Sequence, residues 1–299
     1  MIKNIIITGG NGQDAKILAK IIKKYNLYFI INNGLKKKIK NLHYHKIDLF
    51  NFKKTFEFIK STNPVGIIHL ASKNETAKNK KLQFQTHYKK NFLMTKNLLN
   101  SIIKHNSEIK FIFAGSSQMY GNKRGVVNEK DKFKGNCHYS NYKIDSYNLI
   151  QKYRKKYKLN ASTLVLFNHD SIYRNENFLL PRIAKYLKRN KFTKLNEIYN
   201  ENIIGDFSHA EDICNAIYKL FNLKKLPSKI ILSSYKFTHI NDLIQYGIKK
   251  LKIKRLYEQK KIKKSKKLLL GNNNFAKKKL NWKINKNSLQ AFKEILKNS

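Results

Sequence analysis

The sequence predicts an α/β fold built on a doubly wound parallel sheet, and three features lead to this prediction. Short apolar runs recur through the first half of the chain. Between most of them stand segments whose apolar residues follow a helical spacing. A glycine-rich turn joins the first run to the first of these segments. Strands and helices that alternate in this way form a parallel sheet with helices on both faces.

The individual elements follow from the same two patterns. Apolar runs predict strands over residues 5–8, 27–31, 43–49, 65–70, 110–114 and 161–167. Helical spacing predicts helices over residues 13–25, 51–60, 91–105, 139–157, 211–223, 239–251 and 289–296. The lysine-rich segment 250–267 is expected to be a loop or an exposed helix.

The composition excludes several classes of protein. The 63 lysines and arginines exceed the 18 acidic residues, and the resulting net charge of +45 attracts anions such as phosphates. The lysines are spread along the whole chain, without interleaved aromatic residues or a known binding motif, so we predict no specific nucleic-acid binding. No run of about 18 apolar residues is present, so we expect no membrane span.

Cysteine and histidine usage bears on the compartment and on metal binding. The two cysteines, Cys137 and Cys214, cannot form a disulfide framework and fit a reducing compartment. We therefore expect a cytoplasmic protein. His43, His45 and His69 lack the paired spacing of metal ligands, so we expect no metal site.

The turn after the first predicted strand is the strongest single motif. Residues 8–15 read Thr-Gly-Gly-Asn-Gly-Gln-Asp-Ala, and Gly9, Gly12 and Ala15 give the spacing Gly-x-x-Gly-x-x-Ala. Between a strand and a helix, such a turn lets a pyrophosphate approach the N–H groups and the positive dipole end of the helix. The context predicts dinucleotide binding.

Two further motifs carry reaction chemistry. Tyr139 and Lys143 are four residues apart on a predicted helix and share one face. An ammonium beside a phenol lowers the pKa of the phenol, so Tyr139 can act as a base toward a sugar hydroxyl. Ser116 follows the strand at 110–114, where its hydroxyl can contact a reacting oxygen. Taken singly, a surface aromatic–lysine pair and a polar turn remain the alternatives.

Glycine turn, serine and Tyr-x-x-x-Lys, in this order, resemble the extended short-chain dehydrogenase/reductase family, and within it the GDP-mannose 4,6-dehydratases. Residues 166–171, Leu-Phe-Asn-His-Asp-Ser, and 206–212, Asp-Phe-Ser-His-Ala-Glu-Asp, are similar to segments of that group. The resemblance runs nearly end to end, although this chain is shorter than typical members. It implies a Rossmann-type core with a smaller C-terminal substrate-binding lobe.

The resemblance also implies a reaction and a set of residues. A nucleotide-sugar would be oxidised at carbon 4, with hydride passing to a nicotinamide cofactor. The catalytic positions are Ser116, Gln118, Tyr139 and Lys143. Those assigned to the cofactor are Gly9, Gly12, Gln13, Asp14, Asp48, Leu49, Leu70, Ala71, Ser72, Lys143, His169 and Arg174. Asn168 and Arg182 are assigned to the substrate.

Domain and subunit organisation follow from the same resemblance. We expect a dinucleotide-binding Rossmann core over residues 1–167, which includes the catalytic helix. Residues 168–299 would mainly form the substrate-binding lobe, with strands and helices that return to the core. A dimer or tetramer would be built on helices 91–105 and 139–157.

Three departures from the family pattern leave the reaction open. Gln118 stands where the dehydratases carry a glutamate, and an amide cannot take the proton from carbon 5. Either another carboxylate such as Glu129 replaces it, or the chain is a reductase or epimerase of the same family. Gly205 replaces an arginine that would contact the diphosphate, which also permits a non-catalytic cofactor-binding protein. Thr86 stands where the group has a tyrosine near the cofactor.

The choice of cofactor rests on the end of the second strand. The sequence Ile31-Asn32-Asn33-Gly34 contains no acidic residue to bind a ribose 2′-hydroxyl. Lysines at 36, 37 and 38 follow and favour a 2′-phosphate. We therefore expect NADP, with NAD as the alternative.

Overall fold

A computed structural model describes residues 2–31, 42–72, 82–253, 264, 266–267 and 269–299. The chain divides into two compact units. The first unit comprises residues 1–122, 130–166 and 217–230. The second unit comprises residues 123–129, 167–216 and 231–299. Within the described part of the chain, no helix is long and apolar enough to cross a membrane.

Strands and helices alternate through the first part of the chain. In order they are β1 (Asn4–Thr8), α1 (Gln13–Ile21), β2 (Asn26–Ile30), β3 (Leu42–His45), α2 (Phe52–Thr62), β4 (Gly66–His69), α3 (Leu82–His105), β5 (Lys110–Ala114), a 3-10 helix (Ser117–Tyr120), β6 (Val126–Val127), α4 (His138–Tyr157) and β7 (Ala161–Leu166).

The remainder mixes short strands with helices. In order these are β8 (Asn168–Asp170), α5 (Leu179–Lys188), α6 (Phe192–Asn200), β9 (Ile203–His209), α7 (Ala210–Phe221), β10 (Lys229–Leu232), β11 (Phe237–His239), α8 (Ile240–Lys250), β12 (Lys266–Lys267), β13 (Leu270–Gly271), α9 (Asn274–Leu280) and α10 (Ser288–Asn298).

A seven-stranded sheet with the order β10-β7-β5-β4-β1-β2-β3 organises the first unit. Every neighbouring pair from β7 to β3 is parallel. The strand order reverses between β1 and β4, which is the point where doubly wound sheets bind ligands at their carboxyl edge. The predicted fold class is confirmed, because the buried apolar runs form adjacent strands of one parallel sheet.

The apolar core of the first unit includes side chains from both the sheet and its helices. Ile6, Ile67 and Phe111 are buried on the strands, and Leu98 and Ile150 are buried on α3 and α4. Each of these side chains is removed from water almost completely, which stabilises the fold by about 1.5–3 kcal/mol per residue. The core therefore holds α3 and α4 against the sheet that carries the candidate site.

Element boundaries differ from the predictions where local capping intervenes. The third strand ends at His45 rather than at residue 49, because the Asp48 carboxylate accepts the Phe50 N–H at 3.0 Å in a tight turn. The Asn51 side chain then caps α2. α1 ends at Ile21 rather than at residue 25, because the backbone of Ile22 is already extended. α3 begins nine residues before the predicted start, at Leu82 instead of residue 91.

The second unit has a four-stranded sheet in which β9 pairs with β11, β12 and β8. β13 and β6 form a separate parallel pair. Its core is packed from α5, α6, α8 and α10 against β9, with Leu180, Leu195, Ile244 and Phe292 among the buried side chains. The predictions missed β9, α5 and α6. Glycine, aspartate and serine interrupt the apolar residues of β9, proline and basic residues interrupt those of α5, and lysine and asparagine interrupt those of α6. Segment 250–267 lies mostly outside the described residues.

Candidate active site

The glycine turn lies at the carboxyl end of β1 and leads into α1. Gly9 has a φ of +74°, and a Cβ on it would lie 3.0 Å from the backbone nitrogen of Ala71. The Gly12 N–H donates to the Gly9 carbonyl at 2.8 Å, and Gly12 occupies the N-terminal cap of α1 without a capping side chain. The turn is therefore a close backbone cradle at a helix N-terminus, which suits a pyrophosphate.

Gln13 and Asp14 form the first turn of α1. Gln13 is buried, and its amide Nε2 donates to the Asp14 carboxylate at 3.0 Å. A carboxylate in the first turn stabilises the helix through its dipole. The structure thus places both predicted cofactor residues directly after Gly12.

A second predicted cofactor segment, Leu70 to Ser72, follows β4, the strand beside β1. The Ala71 N–H donates to Thr8 Oγ1 at 2.9 Å, which ties this segment to the end of β1. Ser72 Oγ hydrogen-bonds the hydroxyl of Tyr142 on α4. Burial raises the pKa of Tyr142 well above its usual value, so this phenol stays protonated. The predictions did not include Tyr142, although it stands inside the Tyr-x-x-x-Lys motif.

Lys143 is buried, whereas Tyr139 on the same face of α4 is half-buried. The Lys143 Nζ donates to the Ala114 carbonyl at 2.5 Å and lies 5.7 Å from the centroid of the Tyr139 ring. Burial lowers the pKa of Lys143 to about 7. An ammonium beside the phenol favours the phenolate, so the pair can accept a proton when Lys143 is charged.

Ser116 and Gln118 lie in the turn that follows β5. Ser116 caps the 3-10 helix through a hydrogen bond from the Gln118 N–H to its Oγ at 3.2 Å. This short helix packs on α4, the helix that carries Tyr139. The Gln118 side chain is exposed, and the Cys137 thiol at the start of α4 lies 4.0 Å from its Oε1. The fold of the first unit therefore brings the turn after β5 close to the start of α4.

Asp48 and Leu49 follow β3. Asp48 is exposed and Leu49 is buried. The side chain of Asn97 on α3 donates to the carbonyls of Leu49 and Phe50 at 2.9 and 3.0 Å. This contact fixes the segment after β3 relative to α3. Asn97 was not among the residues predicted for the site.

Four predicted site residues belong to the second unit. Asn168 is exposed and donates to the Asp206 carbonyl at 3.3 Å. His169 is buried, and its Nδ1–H donates to the Phe167 carbonyl at 2.7 Å. Arg174 pairs with Asp170 at 3.3 Å and stacks on Phe178. Arg182 is half-buried on α5, and its Nε has no hydrogen-bond partner among the described residues.

One departure from the family pattern, Gly205, also lies in the second unit, as does Glu129, the carboxylate considered as a replacement for Gln118. Gly205 is an internal residue of β9, opposite Thr238. The Glu129 carboxylate accepts the Ile231 N–H at 2.9 Å, so this carboxylate holds β10. Asp206 is buried and accepts hydrogen bonds from the Ser234 N–H and hydroxyl at 2.8 and 2.6 Å.

Some expectations fall outside the described residues. Asn32, Asn33, Gly34 and Lys36 to Lys38, on which the choice between NADP and NAD rests, are among them. The side chain at position 86 is likewise not described. Across the ranges that are described, no group of three or more His, Cys, Asp or Glu side chains could hold a metal ion.

Comparison with known proteins identifies relatives over almost the entire chain. Residues 6–295 match the family model described as GDP-mannose 4,6 dehydratase. The GDP-mannose 4,6 dehydratase of Dictyostelium discoideum is 25% identical over 98% of this chain and 95% of that protein. GDP-mannose 4,6 dehydratase 1 of Arabidopsis thaliana is 25% identical over 79% of this chain and 72% of that protein.

Solved structures share the fold. The UDP-glucuronic acid 4-epimerase from Bacillus cereus, in complex with UDP-glucuronic acid and NAD, superposes with a TM-score of 0.82 at 17% identity, over 99% of this chain and 98% of that chain. RMD from Pseudomonas aeruginosa, complexed with NADPH, has a TM-score of 0.77 at 16% identity, over 100% of this chain and 97% of that chain. The Rossmann-type architecture is confirmed by these similarities.

Proposed function

The chain belongs to the GDP-mannose 4,6-dehydratase family, and from this premise we propose that it is an enzyme that oxidises carbon 4 of a nucleotide-sugar by hydride transfer to a nicotinamide dinucleotide. The observation that carries the proposal is the buried Lys143 side chain, whose Nζ lies 5.7 Å from the centroid of the Tyr139 ring on α4. The relatives bearing the family name favour a GDP-linked hexose as the substrate and loss of water as the overall reaction.

The residues of the first unit fit a dinucleotide. The Gly9 cradle would be filled by a single Cβ, and the cap of α1 carries no side chain in the way of a phosphate. Gly12, Gln13 and Asp14 would line the pyrophosphate side, and Ala71 would form the opposite wall. When bound, the nicotinamide ring supplies the hydride acceptor.

Proton transfer at carbon 4 is the task of the chain's own side chains. Tyr139 would take the proton of the carbon-4 hydroxyl, and the Lys143 ammonium would stabilise the phenolate that receives it. The Ser116 hydroxyl would donate a hydrogen bond to the same sugar oxygen. Asn168 and Arg182 are the residues of the second unit to test for substrate binding.

The preference for NADP is a proposal of its own. The B. cereus epimerase binds NAD and the P. aeruginosa protein binds NADPH, so the relatives allow both cofactors. Lys36, Lys37 and Lys38 favour the 2′-phosphate by charge. A thermal-shift titration should give a larger stabilisation with NADP than with NAD, and replacing the three lysines by glutamine should remove the difference.

Gln118 favours a second candidate function. Dehydration requires a base for the proton on carbon 5, and the exposed Gln118 amide cannot serve as one. A 4-reductase or 4-epimerase needs only Tyr139, Lys143 and hydride transfer. Glu129, the first acidic residue after Gln118, already accepts a backbone hydrogen bond from β10, which weakens it as a replacement base.

Incubation with GDP-mannose and NADP in heavy water separates the candidates. A dehydratase should yield a 4-keto-6-deoxy sugar with deuterium at carbon 5, and Tyr139→Phe should abolish its formation. Gln118→Glu should raise the rate, because it restores a carboxylate at the family position. Unlabelled starting sugar, together with turnover of a 4-keto-6-deoxy substrate, would favour the reductase. Turnover that survives both Tyr139→Phe and Lys143→Ala would refute the enzyme proposal.

We also propose a homo-oligomer whose interface is formed by α3 and α4, the helices on which the family resemblance places it. Light scattering coupled to size-exclusion chromatography should give a mass of two or four chains of 35.3 kDa. Because each chain carries a charge of +45, self-repulsion predicts more oligomer at high salt than at low salt. A monomer at every salt concentration would contradict this assembly.

A further inference from the structure

A chain of buried hydrogen bonds runs beneath the candidate cofactor site and ends on its wall. The Ala71 N–H donates to Thr8 Oγ1 at 2.9 Å, and Thr8 Oγ1 lies 2.7 Å from His69 Nδ1. On the other side of the ring, His69 Nε2 lies 3.2 Å from Thr95 Oγ1. The Thr95 hydroxyl donates to the Asn91 carbonyl at 3.3 Å. The side chains of Thr8, His69 and Thr95 are completely or almost completely buried.

Counting protons assigns the roles in this chain. The hydroxyl proton of Thr95 is directed to the Asn91 carbonyl, so Thr95 Oγ1 can only accept a hydrogen bond from His69. His69 Nε2 therefore carries a proton. A buried imidazole is neutral, so its Nδ1 has no proton and accepts the hydroxyl proton of Thr8. All donors then point in one direction, from Ala71 towards Asn91.

The electrostatic surroundings keep this ring neutral. Burial, together with the nearby charge of Lys143, lowers the pKa of His69 to about 3. The Phe113 ring neighbours both groups, 5.7 Å from the His69 ring and 4.8 Å from the Lys143 Nζ. Because His69 stays neutral, Lys143 can carry its charge without a charged imidazole nearby.

The chain of hydrogen bonds begins, at the Ala71 N–H, beside the glycine turn. Thr8 and His69 are partners in the register of β1 and β4, and Gly9 and Leu70 are the residues that follow them. A Cβ on Gly9 would lie 3.0 Å from the Ala71 nitrogen, so the Ala71 backbone would have to move by a few tenths of an ångström to admit it. A shift of Ala71 would therefore reach the turn directly.

We propose that His69 and Thr8 are positioning residues of the cofactor site, which hold the Ala71 backbone against the glycine turn through the neutral Nε2–H form of the imidazole. A role in cofactor binding rests on the proposed function, whereas the hydrogen bonds from which we infer it are made within the protein. Neither side chain was among the sequence-predicted site residues.

Matched variants separate positioning from general stability. Thr8→Val keeps the shape of the side chain but leaves the Ala71 N–H without its acceptor, whereas Thr8→Ser keeps the acceptor. Thr95→Val removes an equally buried hydroxyl at the far end and leaves Ala71 bound to Thr8. NADP affinity, measured by calorimetry, should fall about tenfold in Thr8→Val and stay within about threefold of wild type in the other two.

Substitutions of the imidazole itself give a second test. The oxygen of an asparagine at position 69 lies near the position of Nδ1 and can accept from Thr8, whereas the amide of a glutamine lies nearer Nε2. His69→Asn should therefore bind NADP more tightly than His69→Gln. A long-range proton–nitrogen spectrum should identify the Nε2–H form of His69 at pH 6 to 8. The Nδ1–H form or an imidazolium in that range would overturn the proposal.

The outcomes also distinguish this proposal from the proposed function. Equal losses of affinity in Thr8→Val and Thr95→Val, or no recovery in Thr8→Ser, would show a merely structural role. If the wild-type protein binds no dinucleotide, the proposed function fails, and amide exchange at Ala71 becomes the deciding measurement. Faster exchange in Thr8→Val than in Thr95→Val supports positioning, and equal exchange refutes it.

Discussion

Binding of the nicotinamide dinucleotide should draw a proton onto Lys143. The Lys143 Nζ is enclosed by the Ala114 carbonyl at 2.5 Å and by the rings of Phe113, Tyr142 and Tyr139, whose centroids lie 4.8, 5.1 and 5.7 Å away. Burial lowers the pKa of this lysine to about 7, well below the value of 10.5 that it has in water. At pH 8, only about one molecule in ten then carries the ammonium.

The size of the proton uptake follows from these values. Ribose hydroxyls that accept hydrogen bonds and phosphates that carry negative charge both favour the ammonium, which raises its pKa. If the bound cofactor keeps the lysine fully charged at pH 8, binding takes up about 0.9 proton per site. At pH 6 the lysine of the free protein is already about nine-tenths charged, and the uptake should fall to about 0.1.

Calorimetry measures this uptake directly. Titrations of the cofactor at pH 8 in buffers with different ionisation enthalpies should give binding enthalpies that vary linearly with the buffer, with a slope equal to the protons taken up. Lys143→Met is the control, and its slope should be close to zero. A wild-type slope near zero at pH 8, or an unchanged slope in Lys143→Met, would refute the assignment of the proton to Lys143.

Three stability measurements test other features of the molecule. Gly9→Ala should lower the free energy of unfolding by about 2–4 kcal/mol, because the strain of a side chain at positive φ adds to the contact at 3.0 Å. Gly125 has a φ of +81° and no heavy atom within 4 Å of an added Cβ, so Gly125→Ala should lower the free energy of unfolding by only about 1 kcal/mol. Urea unfolding measures both values. Burial raises the pKa of Asp206 to about 6, so the native protein binds more protons than the unfolded chain between about pH 4 and 6. This carboxyl therefore lowers the free energy of unfolding as pH rises through that range, and Asp206→Asn should abolish its contribution to this pH dependence. The same variant should lower the free energy of unfolding by about 2–4 kcal/mol, because it leaves N–H donors unpaired. Burial lowers the pKa of His69 to about 3, so the free energy of unfolding should fall by up to about 1.4 kcal/mol per pH unit from pH 6.5 down to pH 3. His69→Leu should make this fall less steep, which thermal denaturation at a series of pH values would measure.

Features set by near neighbours in sequence were predicted well. The apolar runs of β1, β4 and β5 and the helical spacing of α4 are local patterns, and each became the expected element. The glycine turn was predicted for the same reason, since a turn between a strand and a helix depends on a few consecutive residues. Capping by Asp48 and Asn51 moved the end of one strand, because a single side-chain hydrogen bond can outweigh a weak apolar pattern.

The functional assignments of single residues depend on partners far away in the chain. The sequence by itself determined that Tyr139 and Lys143 share a helical face, because the pitch of a helix brings residues four apart together. Only the tertiary structure decided that Lys143 is buried and that Thr8 and His69 support Ala71, since desolvation and hydrogen bonding arise between segments that folding brings together from up to 63 residues apart.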